Sequence, residues 1–131
     1  MKEVTIIAKN EVGALAQVAE ALGTVGVNIE AISAYGKDGE AIFRVITNDA
    51  TTATKVVGKV SAVKKITESE VIVLKMMNRP GELGKITRKL ANRGVNLESL
   101  YIVSRKPDFT EVAIKPADNQ FALAKEVLGI K

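Results

Sequence analysis

Two stretches of this 131-residue chain carry residue types suited to holding a small polar molecule: Asn10-Glu11-Val12-Gly13-Ala14-Leu15 and Asn78-Arg79-Pro80-Gly81-Glu82-Leu83. An asparagine side chain offers both a donor and an acceptor without bringing a charge. A glycine that opens a helix lets backbone come close to a ligand, and the unpaired amides and dipole of the helix start favour an anion such as a carboxylate. Arg79 could pair a carboxylate directly, although a solvated loop arginine is the plainer alternative. The asparagines have a plainer alternative too, because asparagine before a turn, or after a glycine that ends a helix, is a common local solution for the backbone. All of these groups bind; none of them is a proton carrier or a nucleophile.

The composition points the same way. The chain has no histidine and no cysteine, which removes the usual general base, thiol chemistry, disulfides and the commonest metal ligands. No Gly-x-Gly-x-x-Gly and no phosphate-loop Gly-Lys-Ser/Thr is present. We therefore assign no catalytic residue, no metal site and no cofactor, and expect a protein that is not an enzyme. Glu30 and Glu98 recur in register, but an acid–base pair would need them to converge, and exposed strand positions explain them as well. The net charge of +4 is mild. It is also spread out, with eight basic against seven acidic residues in 1–67 and eleven against eight in 68–131. No apolar run approaches the ~18 residues of a membrane span. The start Met1-Lys2-Glu3 leads directly into Val4-Thr5-Ile6-Ile7 without the pattern of a signal peptide, so we expect a cytoplasmic protein with neither a nucleic-acid nor a membrane partner.

The elements that must position the two asparagine turns follow from an internal repeat. Sliding the sequence by 68 residues aligns the two turns and also aligns Gly26-Val27-Asn28-Ile29-Glu30 with Gly94-Val95-Asn96-Leu97-Glu98. Each copy opens with a β-rich run, Val4 to Lys9 and Val71 to Met77. Helical spacing follows, with Leu15, Val18, Ala19, Leu22 and Val25 on one face, and Leu83, Ile86 and Leu90 in the second copy. Gly26 and Gly94 supply a left-handed helix end. Two further strands come next, Asn28 to Tyr35 with Ala41 to Ile46, and Asn96 to Val103 with Thr110 to Ile114. They are joined through Gly36-Lys37-Asp38-Gly39 and Arg105-Lys106-Pro107-Asp108. Second helices span about Thr51 to Val60 and Gln120 to Leu128, capped by Asp49 and by Asp118 or Asn119. A fourth strand, Ala62 to Ile66, is legible only in the first copy. The fold class is therefore α+β: two tandem ferredoxin-like βαββαβ modules, residues 1–68 and 69–131, the second lacking most of its fourth strand and leaving its first strand as an open edge.

The turn, the helix and the Gly-Val-Asn that follows it, found twice in register, resemble the signature of ACT domains. The resemblance covers both repeats. It implies a four-stranded antiparallel sheet with two helices on one face, association into a homodimer or higher homo-oligomer, and a free amino acid as ligand. The chain is similar to the serine-binding regulatory domain of phosphoglycerate dehydrogenase, where the asparagine opening the turn and the asparagine opening the second strand touch the ligand. Carried over, these are Asn10 and Asn28, and Asn78 and Asn96, with Glu11 to Leu15, Ile29, Arg79 to Leu83 and Leu97 beside them. Ala8 and Met76 stand where serine-binding members often have a histidine or other polar residue, and Val12 replaces the proline of the second copy.

The resemblance implies an allosteric sensor, in which an amino acid at the interface between modules favours one packing over another and reports to an enzyme regulated in trans. Stand-alone ACT proteins and, more distantly, the small regulatory subunit of acetolactate synthase are similar. An RNA-binding ferredoxin-like domain is the alternative, and it needs aromatic residues on the first and third strands of a module. The first strands contain none, and the third strands, Ala41 to Ile46 and Thr110 to Ile114, supply only Phe43.

Overall fold

The computed structural model describes residues 1–130. It comprises two compact units, Met1–Glu70 and Val71–Lys131. The first runs β1 (Lys2–Lys9), α1 (Ala14–Thr24), β2 (Ile29–Lys37), β3 (Glu40–Thr47), α2 (Ala50–Val57) and β4 (Val63–Glu70). The second runs β5 (Ile72–Met77), α3 (Glu82–Asn92), β6 (Leu97–Arg105), β7 (Phe109–Pro116), a single 3-10 turn (Asp118–Gln120) and α4 (Phe121–Leu128). Both sheets are antiparallel, in the orders β2-β3-β1-β4 and β5-β7-β6. These are the two α+β modules expected, the second with no fourth strand among the described residues.

Alternation along the central strands places one apolar row against the helices. In the first unit Val4, Ile6 and Ala8 of β1 and Ala41, Phe43 and Val45 of β3 pack on Val18 and Leu22 of α1 and Ala53 and Val57 of α2. In the second, Ile72, Val112 and Ile114 pack with Leu90 of α3 and Ala124 of α4. Both long helices end as the sequence suggests. Gly26 and Gly94 take φ 76° and 74°. The N–H of the residue after each glycine reaches back to a buried leucine carbonyl, Val27 to Leu22 at 2.9 Å and Val95 to Leu90 at 3.0 Å, closing the Schellman motif.

The opposite face of the first sheet carries charge. Arg44 donates to Glu3 Oε1 at 3.1 Å and to the Tyr35 hydroxyl at 3.3 Å, with Glu3 0% and Arg44 8% exposed. Burial opposes the guanidinium's charge, but the Tyr35 hydrogen bond and the field of Glu3 outweigh it and hold the Arg44 pKa above its ordinary value.

Several boundaries differ from the sequence reading for identifiable reasons. β4 is longer than Ala62 to Ile66, because it pairs with β1 all the way from Ala8↔Val63 to Lys2↔Glu70, and its polar outer half gave no apolar signal. The β2–β3 connection is a two-residue turn, Asp38-Gly39, with φ 53° and 80°. Both residues are left-handed, as a type I′ hairpin requires, so Gly36 and Lys37 belong to β2. Asp49 caps α2 as expected, accepting from the Thr52 N–H at 3.1 Å, and its hydrogen bonds to the Thr52 side chain and backbone lower its pKa. Asp118 and Asn119 do not cap α4. They lie in the 3-10 turn, and Gln120 instead ties the start of β6, accepting from the Asn96 N–H and donating to the Gly94 carbonyl, each at 2.8 Å.

The two hairpins also differ by one residue. In the first unit Phe43 faces Ala34, whereas in the second the equivalent Val112 faces Ile102, and the register then shifts between Ile102 and Ser104. Val103 is the extra residue, absorbed as a bulge. Past it, Arg105 pairs with Thr110 and lies on the helix-facing side; in an unbulged strand a residue three after Ile102 would point the other way.

Candidate functional site

The two asparagine turns have the same build. The Ala14 N–H reaches the Glu11 carbonyl at 3.2 Å and the Glu82 N–H reaches that of Arg79 at 3.4 Å, while Gly13 and Gly81 both take φ 88°. This is the form of a type II turn, whose third residue needs positive φ and whose second favours proline, as Pro80 provides. A Cβ on either glycine would meet nothing within 4 Å, so the backbone angle rather than space demands glycine. Each turn is laced to its own hairpin. The Asn10 N–H donates to the Gly39 carbonyl at 3.3 Å and that of Asn78 to Asp108 at 3.1 Å. Asn78 Nδ2 also donates to the Lys106 carbonyl at 2.7 Å, which leaves its Oδ1 to accept.

Beside the second turn lies an open cleft of ≈ 490 Å³. Its rim is Asn78, Arg79, Pro80 and Gly81, with Met77 before them and Leu83 on the first turn of α3. Its floor is the last helix-facing row of the sheet, in which Met76 of β5 and Arg105 of β6 flank Thr110 of β7, with Ile102 one row deeper. Thr110 is 4% exposed, whereas Met77, Leu83 and Ile102 are 55%, 39% and 57% exposed. Arg79 Nε donates to Glu82 Oε1 at 2.6 Å, and Lys85 approaches the same oxygen at 3.4 Å. The Arg79 hydrogen bond holds the Glu82 carboxyl below its usual range.

Two copies of one turn, helix and hairpin, each on its own antiparallel sheet, decide the family. The chain matches the ACT domain over residues 2–64 and again over 71–129. It belongs to the ACT domain family. No curated protein is similar enough to count as a relative. Among solved structures, protein BT0572 from Bacteroides thetaiotaomicron is 26% identical with a TM-score of 0.84, the match covering 98% of this chain and 85% of that one. The regulatory subunit of aspartate kinase from Thermus thermophilus is 18% identical with a TM-score of 0.68, over 98% and 89% of the two chains. A structure of aspartokinase alpha and beta subunits is 18% identical with a TM-score of 0.67, over 96% and 89%. At 18% the last two likenesses show the fold alone.

In the second ACT module the cleft brings together Asn78, Arg79, Pro80, Gly81 and Leu83. Glu82 is instead engaged with Arg79 and Lys85. Asn96 and Leu97 sit at the opposite end of β6 from the cleft, Leu97 facing Pro116 and packing on the core. In the first module Asn10, Glu11 and Val12 are exposed, Ala14 is buried, and Leu15 is 39% exposed, as Leu83 is. Asn28 exposes its side chain while its N–H donates to Asn48 Oδ1 at 3.0 Å, and Ile29 packs on the core. Met77, Ile102, Arg105 and Thr110 went unrecognised in the sequence, and Met76 drew notice only as a departure from the serine pattern. The signal available was the single extra residue that shifts the repeat offset from 68 residues at the turns to 69 at β7.

Proposed function

We propose that the chain is a regulatory binder of a free amino acid, held in the cleft beside Asn78 and Gly81, and that it acts on a metabolic enzyme in trans or serves as a stand-alone ligand binder. The observation that carries this reading is the cleft itself. A volume of ≈ 490 Å³ is within the usual size for small-molecule sites. It brings a hydrogen-bonding amide, a helix start and a guanidinium to one place, which is what a zwitterion needs. The family supports a regulatory reading over a catalytic one. A ligand that binds two states of such a protein unequally shifts them by typically ~1–3 kcal/mol, and the effect is reciprocal between ligand and target.

A thermal-shift screen of the full chain against the twenty amino acids tests this reading. A true ligand at ~100 times its dissociation constant adds ~2.7 kcal/mol of stability. A rise in melting temperature with at least one amino acid is expected; none with any of the twenty would end the proposal. The RNA-binding alternative gains no specific support: Phe43 is buried against the helices, and Phe109, which the structure adds to the start of β7, has the Lys75 ammonium over its ring at 3.9 Å.

A further inference from the structure

We infer that the cleft of the second module selects an α-amino acid with a large apolar side chain, Arg105 binding its carboxylate and the Thr110 hydroxyl its ammonium group. This rests on the amino-acid-binding reading above and adds the ligand class.

Three observations carry it. The first is Thr110, which is 4% exposed and lines the cleft, yet its hydroxyl makes no hydrogen bond among the described residues. The hydroxyl is not itself sealed from solvent, so it opens into the cleft from an otherwise buried residue and can accept a hydrogen bond from a ligand there. The second is Arg105, whose guanidinium has no ion-pair partner among the described residues and which the bulge at Val103 turns onto the cleft side, directly opposite Thr110. Bulges beside functional sites commonly re-aim a side chain in this way. A carboxylate matches the planar fork of a guanidinium. The third is the wall. Met76, Met77, Leu83 and Ile102 are all apolar, and three of them leave much of their surface in water, where a ligand side chain would cover it. Methionine adapts its shape readily to such a partner.

The same inventory argues against other ligand classes. An acidic side chain would want a second cation, but Arg79 is already engaged by Glu82 at 2.6 Å. A basic side chain would meet Arg105, and a small one such as that of serine would leave the apolar wall wet. The first module has none of these features. The equivalent row there is Ala8, Ala41 and Gly36, and a side chain at Gly36 would meet Asn10 Nδ2 at 2.9 Å. The selectivity therefore belongs to the second module.

Methionine-methyl NMR of the full chain tests this, because two of its three methionines, Met76 and Met77, line the cleft and Met1 does not. In protein labelled with methyl-13C methionine, leucine and isoleucine should move the Met76 and Met77 signals at lower concentration than serine or aspartate, and leave Met1 unmoved. Arg105→Gln should weaken leucine binding about tenfold or more, and Thr110→Val should weaken it several-fold, with circular dichroism and a cooperative thermal transition reporting that each variant is folded. Isopentylamine, which lacks the carboxylate, should bind poorly to the parent protein and be indifferent to Arg105→Gln. Tighter binding of serine or aspartate than of leucine, or leucine affinity unchanged by Arg105→Gln, overturns this inference while leaving the amino-acid reading in place. No response to any amino acid overturns both.

Discussion

The two modules share a backbone plan and differ in what they place at the same points on it. On the last helix-facing row of the sheet, the first module has Ala8, Ala41 and Gly36 and the second has Met76, Thr110 and Arg105. The opposite faces are contrasted as well. The first carries the buried Glu3–Arg44 pair at 3.1 Å, whereas the position across from Val73 in the second, equivalent to Arg44, is Ala113. The turn, the helix ends and the sheet order therefore recur while the faces are furnished differently: Glu3 with Arg44 on the far side of the first sheet, Lys115 with Glu98 at 3.4 Å on the far side of the second, and a furnished cleft on the helix side of the second.

The largest expected effect tests the far face. Glu3→Gln removes the negative charge that compensates the buried Arg44 guanidinium while leaving its Tyr35 hydrogen bond, so it should destabilise the protein by about 3 kcal/mol in urea denaturation. A loss below about 1 kcal/mol would mean that the pair is structural ornament and that the two faces differ less than their residues suggest.

A smaller effect tests the shared turn. Gly13→Ala and Gly81→Ala each force a Cβ onto φ 88° and should cost about 1–2 kcal/mol apiece. Val12→Pro would give the first turn the residue its twin already has, and should stabilise by about 0.5–1 kcal/mol. If Val12→Pro destabilises, the two turns are not the same conformation.

The smallest effect concerns the carboxylate that follows the turn glycine in the second module alone, Glu82 where the first has Ala14. The Arg79 hydrogen bond lowers the folded-state pKa of Glu82, so its contribution to stability is present above the ordinary glutamate value. It is lost as pH falls through the lowered one. Arg79→Gln should return the Glu82 titration, followed by NMR, upward toward that ordinary value. The first module has Ala14 in the equivalent place and should show no counterpart.

Much of the fold was legible because it is written in local rules. The repeat, the Gly26 and Gly94 helix ends, the Asp49 cap and the alternation in β1 and β3 all follow from short-range sterics and periodicity. β4 was read short because Thr67 to Glu70 offer no apolar pattern, and only pairing with the central strand extends it. Asp118 was misread as a cap because a 3-10 turn there satisfies the same local preference. Of the candidate site, the rim from Asn78 to Leu83 was visible as a motif. The floor was not, because Met76, Thr110 and Arg105 come from three strands and nothing in the spacing of any one of them announces the others.

By itself, then, the sequence determined two copies of one module, their turns and their helix ends, since those depend on backbone angles that glycine, proline and asparagine impose on their immediate neighbours. Which side chains share a cleft was decided only by tertiary structure. Strand register and a single bulge at Val103 select the face on which Arg105 emerges, and register is a property of paired strands, not of either strand alone.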